Sequence, residues 1–305
     1  AHAAALAGKT DARLAALRRA ADLNPGDRNI QENFARGLIE AGKIAEAYAQ
    51  YRLMLDRWPR NADALVNCGI LAHQLGNDGE AVDDWQRAID ADAAQSHAQL
   101  YLAELLEQQG EVQAAARHYR AYLQLTAAQP EENRESTKTR LALYLKVADA
   151  DAAGNRPQDA QSEYLAAIHM AQQSGDGELQ SLALVHLAEL QEKSGTPGAA
   201  AQSYRQALAL DASLADPRSA AADWLNYGQF LRRHGQPEEL VFACLLHAQD
   251  LLSTTPGDEL SAVAQARGES EERLGRAVAT KIRSDINLEL QKVLSLPTPT
   301  MPIGK

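Results

Sequence analysis

From about residue 28 to residue 252 the apolar and small residues recur at steps of three and four, the period of an amphipathic helix, and glycines punctuate the pattern at long intervals. The stretch LGNDGEAVDDWQRAIDAD, residues 75–92, shows the unit. Ala81, Trp85 and Ala88 stand five, nine and twelve residues after Gly76. Steps of four and three place all three on one face of a helix. The glycine marks the end of the helix before it, because the left-handed conformation that closes a helix costs any residue with a Cβ. The element predicted is therefore a helix, a tight turn and a second helix.

The unit recurs. Gly42, Gly76, Gly110, Gly154, Gly195 and Gly235 are 34, 34, 44, 41 and 40 residues apart, a period that implies stacked supersecondary units. About five residues after each glycine stand Ala47, Ala81, Ala115, Ala160, Ala200 and Leu240, and about nine after stand Tyr51, Trp85, Tyr119, Tyr164, Tyr204 and Cys244. Seven residues before it stand Ala35, Gly69, Ala103, Val147, Ala188 and Gly228, with an apolar residue one position earlier except at Lys146. Small residues let paired helices approach, and the large residue fills the space they leave. The fourth and sixth units fit the columns least well.

Small residues, a turn glycine, an aromatic and a terminal proline such as Pro59, in this order and at this period, resemble the tetratricopeptide repeat (TPR) family. The resemblance implies an all-α fold, a right-handed α-α superhelix. Residues 1–25 read as the second half of a repeat, with Gly8 at its turn and Ala1 inside its first helix. Residues 26–252 read as about six helix-turn-helix units, the last three lengthened in their helices or in turns such as SGDGEL, residues 174–179, and LADPRS, residues 214–219. Beyond residue 258 the columns stop. Val278, Ile282, Ile286, Leu290, Val293 and Leu294 keep helical spacing and predict an amphipathic capping helix within 258–296. Three prolines make 297–305 an extended tail.

Composition agrees with close-packed helices. Hydrophobic residues are 45% and aromatics 5% of the 305 residues, with alanine the leading apolar type. The formal net charge of -11 disfavours nucleic acid and anionic membrane, both of which need clustered Lys and Arg. No stretch approaches the roughly 18 apolar residues of a membrane span, so no direct membrane insertion is expected. Cys68 and Cys244 have no metal-binding spacing and read as small buried hydrophobes. The chain begins at Ala1, which leaves room for a removed signal, anchor or repeat. Alanine-rich, lysine-poor usage points to a bacterial protein of the cytoplasm or periplasm.

Catalytic, cofactor and metal motifs are absent from the sequence, and the turn GTPGAA, residues 195–200, lacks the lysine of a phosphate loop. The resemblance places the ligand groove on the first helix of each unit. That face carries Val66, Ile70, His73, His97, Leu100, Tyr144, Val185 and Leu225, and the paired carboxylates Glu104 with Glu107 and Glu189 with Glu192. The apolar members are open to three readings: packing between repeats, a groove for an apolar or helical partner segment, or a groove filled by the chain's own C-terminal portion. The carboxylates read either as a solvated face or as a seat for a basic segment.

One TPR subfamily clamps acidic chaperone tails with lysines, asparagines and an arginine. The equivalent positions here hold Glu32, Arg36, Asn67, His97 and Tyr101, of which only Asn67 matches, so that partner is disfavoured. Pro299 and Pro302 form a minimal proline motif in the tail. The expectation is a non-enzymatic scaffold or adaptor holding an apolar or basic protein segment, an accessory subunit of a larger bacterial assembly that is either cytoplasmic or membrane-associated. The alternative is an enzyme or cofactor carrier with chemistry at Glu269, Glu271, Glu272, Arg273 and Arg276.

Overall fold

The computed structural model describes residues 2–127, 134–210, 216–253 and 258–296, with side chains from residues 11 and 136 onward in the first two stretches. All regular structure among them is helical, in two compact units, residues 1–129 and 130–305. The proline tail and its motif lie outside the described residues, as do Ala1, Leu214 and Ala215.

The first unit holds α1 (His2–Leu23), followed by three antiparallel hairpins: α2 (Arg28–Glu40) with α3 (Ile44–Arg57), α4 (Ala62–Gln74) with α5 (Asp78–Ala91), and α6 (Ser96–Gln108) with α7 (Val112–Thr126). Helix α1 runs unbroken through Gly8. The turn expected there does not form, because one glycine inside a helix costs only about 1 kcal/mol and α1 packs along α2.

Each hairpin turns the same way. The Gly76 amide donates to the His73 carbonyl at 2.9 Å and the Asn77 amide to the Ala72 carbonyl at 2.8 Å, with φ of 81° at Gly76. This paired arrangement satisfies the carbonyls that the end of α4 would leave orphaned. The small-then-large rule is equally physical. A Cβ added to Gly69 would lie 2.4 Å from Trp85 Nε1, so the indole occupies the place of a side chain. Trp85 is 2% exposed, donates its Nε1–H to the Val66 carbonyl at 3.2 Å and stacks on Tyr101 at 5.7 Å.

The second unit holds α8 (Arg134–Ala153) with α9 (Pro157–Ser174), α10 (Gly177–Lys193) with α11 (Pro197–Leu208), and α12 (Pro217–Arg233) with α13 (Glu238–Leu252). Its extra length lies in its helices, with 20 residues in α8 and 17 in α10 and α12 against 13 in each of α2, α4 and α6, and in the connection between Leu208 of α11 and Pro217 of α12. SGDGEL is a tight turn, with Gly175 left-handed and the Asp176 carboxylate capping α10 at the Leu179 amide, 3.2 Å away.

One register assignment changes. The left-handed residue between α8 and α9 is Asn155, φ 58°, and not Gly154, because asparagine is the non-glycine residue that best tolerates this conformation. Counted from Asn155, Ala160 and Tyr164 fall at five and nine, and the column seven before becomes Ala148, preceded by Val147. Both are fully buried, so the exception at Lys146 disappears.

Helix α13 is apolar on every side, with Leu240, Val241, Phe242, Ala243, Cys244, Leu245 and Leu246 all buried, and such a helix needs cover on more than one face. The cover is three helices instead of one: α14 (Asp258–Leu274), α15 (Arg276–Ser284) and α16 (Ile286–Ser295). A turn at Asp285 breaks the helical stripe that the spacing runs from Val278 to Leu294, and Gly275, φ 81°, separates that stripe from α14. All three pack on α13, and Ala279 and Ile282 join Phe242, Ala243 and Leu246 in one cluster. Arg205 of α11 donates to the Leu296 carbonyl.

Candidate functional site

The first helices of the second unit enclose a cavity of about 680 Å³. Helix α8 contributes Lys138, Thr139 and Ala142; α10 contributes Glu178, Leu179, Ser181, Leu182, Val185, His186 and Glu189, with Asp176 at its cap; α12 contributes Ser219, Ala222, Asp223 and Asn226. Its apolar floor includes Leu182, whose side chain is 43% exposed although it sits mid-helix between two neighbouring helices. A second cavity of about 420 Å³ shares Glu189 and Asn226 with the first and continues to Glu192, Tyr204 and Arg233.

The polar groups are tied across helices. Ser181 donates to the buried Asp223 carboxylate, and Lys138 Nζ stands 3.7 Å from Asp176. His186 Nδ1 lies 2.8 Å from Asp149 Oδ1, and the Tyr164 hydroxyl donates to the same oxygen. The bond to Asp149 raises His186 above the usual histidine range, against burial, which lowers it. Burial alone would raise Asp149, but the hydrogen bonds from His186 and Tyr164 outweigh it and hold the carboxyl below its ordinary range.

A raised histidine stabilises the fold fully below about pH 6.5, and the contribution fades as pH rises past its folded value. A depressed aspartate stabilises above about pH 4, and its contribution fades as pH falls through its folded value. The pair therefore contributes most between those limits. The gap in urea midpoint between the native chain and His186→Gln is expected to be widest near pH 5–6 and to narrow as pH rises above the usual histidine range. A gap independent of pH would rule the coupling out.

The sequence-predicted residues divide. In the first unit Val66 is buried in the core, Ile70 and Leu100 are half-buried, and His97 is exposed beside Tyr101. His73 Nδ1 contacts Asp78 at 2.6 Å, Glu107 accepts from the Tyr119 hydroxyl at 2.7 Å, and Glu104 is exposed. None of these seven lines either cavity described in that unit, of about 610 and 300 Å³. Asn67 donates to the Asp63 carbonyl of its own helix.

In the second unit Val185 and Glu189 line the main cavity, and Glu192 lines its continuation. Glu192 accepts both Arg233 donors at 2.8 and 2.9 Å, which holds it below the ordinary carboxylate range. Leu225 is half-buried against the core. Tyr144 was placed by a count from Gly154; from Asn155 the equivalent position is Leu145, which is buried. Tyr144 stands two residues from Ala142, about 200° round the helix, and is not among the cavity residues.

Leu182, His186, Asp223 and Asn226 escaped the column reading, since each column follows a single position per repeat. Their signal lies within α10, where Glu178, Leu182, Val185 and Glu189 keep one helical face.

Of the C-terminal candidates, Glu269 accepts from Gln265 at 3.3 Å, and Glu271 and Arg273 make ion pairs. Glu271 pairs with Arg267 at 2.9 Å and Arg283 at 2.6 Å, while Glu238 accepts from Ser270 and Arg232 and lies 3.6 Å from Arg273. Both cysteines are free and buried, and burial pushes the Cys68 thiol up to about 12. Among the described residues no cluster of His, Cys, Asp and Glu could hold a metal ion, and no helix is long and apolar enough to cross a membrane.

The tetratricopeptide repeat model matches residues 33–97 and 80–131. Among solved structures, the C-terminal part of a TPR repeat-containing protein from Cytophaga hutchinsonii is 11% identical, with a TM-score of 0.53 over 86% of this chain and 98% of that one. BtubC (BKLC) from P. vanneervenii is 16% identical, with a TM-score of 0.51 over 76% of this chain and 96% of that one. No curated protein matches the sequence. Residues 33–131 thus carry tetratricopeptide repeats, and the hairpins after them have the same fold.

Proposed function

We propose that the chain is a non-enzymatic interaction scaffold that seats a segment of a protein partner in the cavity of its second unit, as an accessory subunit of a larger assembly. TPR repeats are in general protein-protein interaction modules. The observation that carries the reading is Leu182: a large apolar side chain, 43% exposed, on the floor of a cavity walled by three parallel first helices. Concave apolar surface with a few convergent polar groups is the usual form of a binding seat.

Two further observations support it. The capping helices α14 to α16 pack chiefly on α13, a second helix, and not on the first helices α8, α10 and α12. Arg267, Glu271, Arg273 and Arg283 of the C-terminal region are engaged in ion pairs that fasten α14 and α15.

Replacing Leu182 with arginine should abolish copurification of the partner with little effect on the fold, because the side chain is partly exposed. Leu165→Arg, on α9 and 50% exposed outside the cavity, is the matched control and should retain it. Equal retention by both variants would remove the cavity from the account.

A further inference from the structure

Along α10, Glu178, Leu182, Val185 and Glu189 fall at steps of four, three and four and form one stripe, all lining the cavity. Its middle is apolar and both ends are acidic. A helix rises about 1.5 Å per residue, so Glu178 lies roughly 6 Å and Glu189 roughly 10 Å along the axis from Leu182. Among the other charges nearby, Lys138 stands by Asp176, Asp223 takes the Ser181 hydroxyl and Arg233 holds Glu192, while Lys193 lies one turn beyond Glu189 on the continuing cavity. No hydrogen bond or salt bridge joins Glu178 or Glu189 to another described residue. The described lining thus carries four carboxylates, Asp176, Glu178, Glu189 and Asp223, against Lys138 alone, with His186 beside them.

Resting on the reading of this cavity as the partner seat, we propose that its occupant is a segment with an aliphatic residue flanked on both sides by lysine or arginine. The aliphatic side chain sits on Leu182, Val185, Ala142 and Ala222, and the two cations meet Glu178 and Glu189. An extended chain advances about 3.3 Å per residue, so the cations stand two to three positions either side of the aliphatic residue. A cleft lined by one sign of charge between apolar walls concentrates its field on an opposite charge, and the same field rejects an acidic segment. A second copy of this chain, at a formal charge of -11, is a poor occupant for the same reason.

Labelled peptides test the charge and the seat separately, by anisotropy with the whole chain at physiological salt. The first is Lys-Ser-Ala-Leu-Ala-Ser-Lys with blocked ends, whose side chains come in the same order read from either end. The others replace both lysines with glutamine or with glutamate. The lysine peptide should bind at least about tenfold more tightly than the glutamine peptide, and the glutamate peptide most weakly. The double variant Glu178→Gln, Glu189→Gln should bind the lysine and glutamine peptides alike with an unchanged helical spectrum. Leu182→Ser should weaken both.

Equal binding of the lysine and glutamine peptides to the native chain, both weakened by Leu182→Ser, would overturn the charge assignment and leave the seat standing. Binding untouched by Leu182→Ser, or none up to about 1 mM, would overturn the seat and the proposal together.

Discussion

Trp85→Ala is expected to destabilise the first unit by about 3–5 kcal/mol, the range for removing a large, fully packed core aromatic. The indole fills the space that Gly69 leaves open, stacks on Tyr101 and bonds to the Val66 carbonyl, so its loss opens a cavity and leaves that carbonyl without this donor. The reciprocal change, Gly69→Ala, drives a methyl into the indole and should cost less, about 1–3 kcal/mol, because the ring can shift part of the way. Urea titration of the single variants gives both values. Combining them should cost less than their sum, since a methyl at Gly69 occupies part of the hole that alanine at position 85 leaves. Strict additivity would show that the two columns do not meet as the structure describes.

The second large effect lies in the other unit. Phe230 is fully buried, with ring centroids of Tyr204 and Tyr227 at 5.2 and 5.8 Å and the His234 ring at 4.5 Å. Phe230→Ala should cost about 3–5 kcal/mol. Hydrogen exchange reads where the loss falls: faster exchange is expected in α10 to α13, whose packing the cluster supports. A loss under about 1 kcal/mol would mean that Tyr204 and Tyr227 close the gap without it.

The helices were legible because their period, their glycines and their paired small and large residues all state the same packing. Legibility failed where one residue did the work of another. Asn155 turns the chain in place of glycine, and a reader counting glycines lands one residue short; that single step produced the exception at Lys146 and moved a groove assignment from Leu145 to Tyr144. Gly8, inside α1, shows the reverse error, since a glycine marks a turn only where the backbone adopts positive φ. The cap was read as one helix because the break at Asp285 carries neither glycine nor proline and the apolar stripe continues across it.

The site was less legible than the fold for a different reason. Columns compare equivalent positions between repeats, whereas the cavity is built by neighbours along one helix and across three. Val185 and Glu189 line the cavity and also occupy columns. Leu182 was not, because its signature is exposure, which arises only when α8, α10 and α12 are assembled. Glu192 was found for its charge, and the structure gives it Arg233 as a partner.

The central claim is that a partner segment lies against Leu182. A photoreactive benzophenone side chain installed at position 182, and separately at position 165, tests it in the cells that make the protein. Irradiation should give a discrete adduct from position 182 and none from 165, with the cross-linked segment aliphatic at its centre. Adducts of the same partner from both positions, or from 165 alone, would contradict the account.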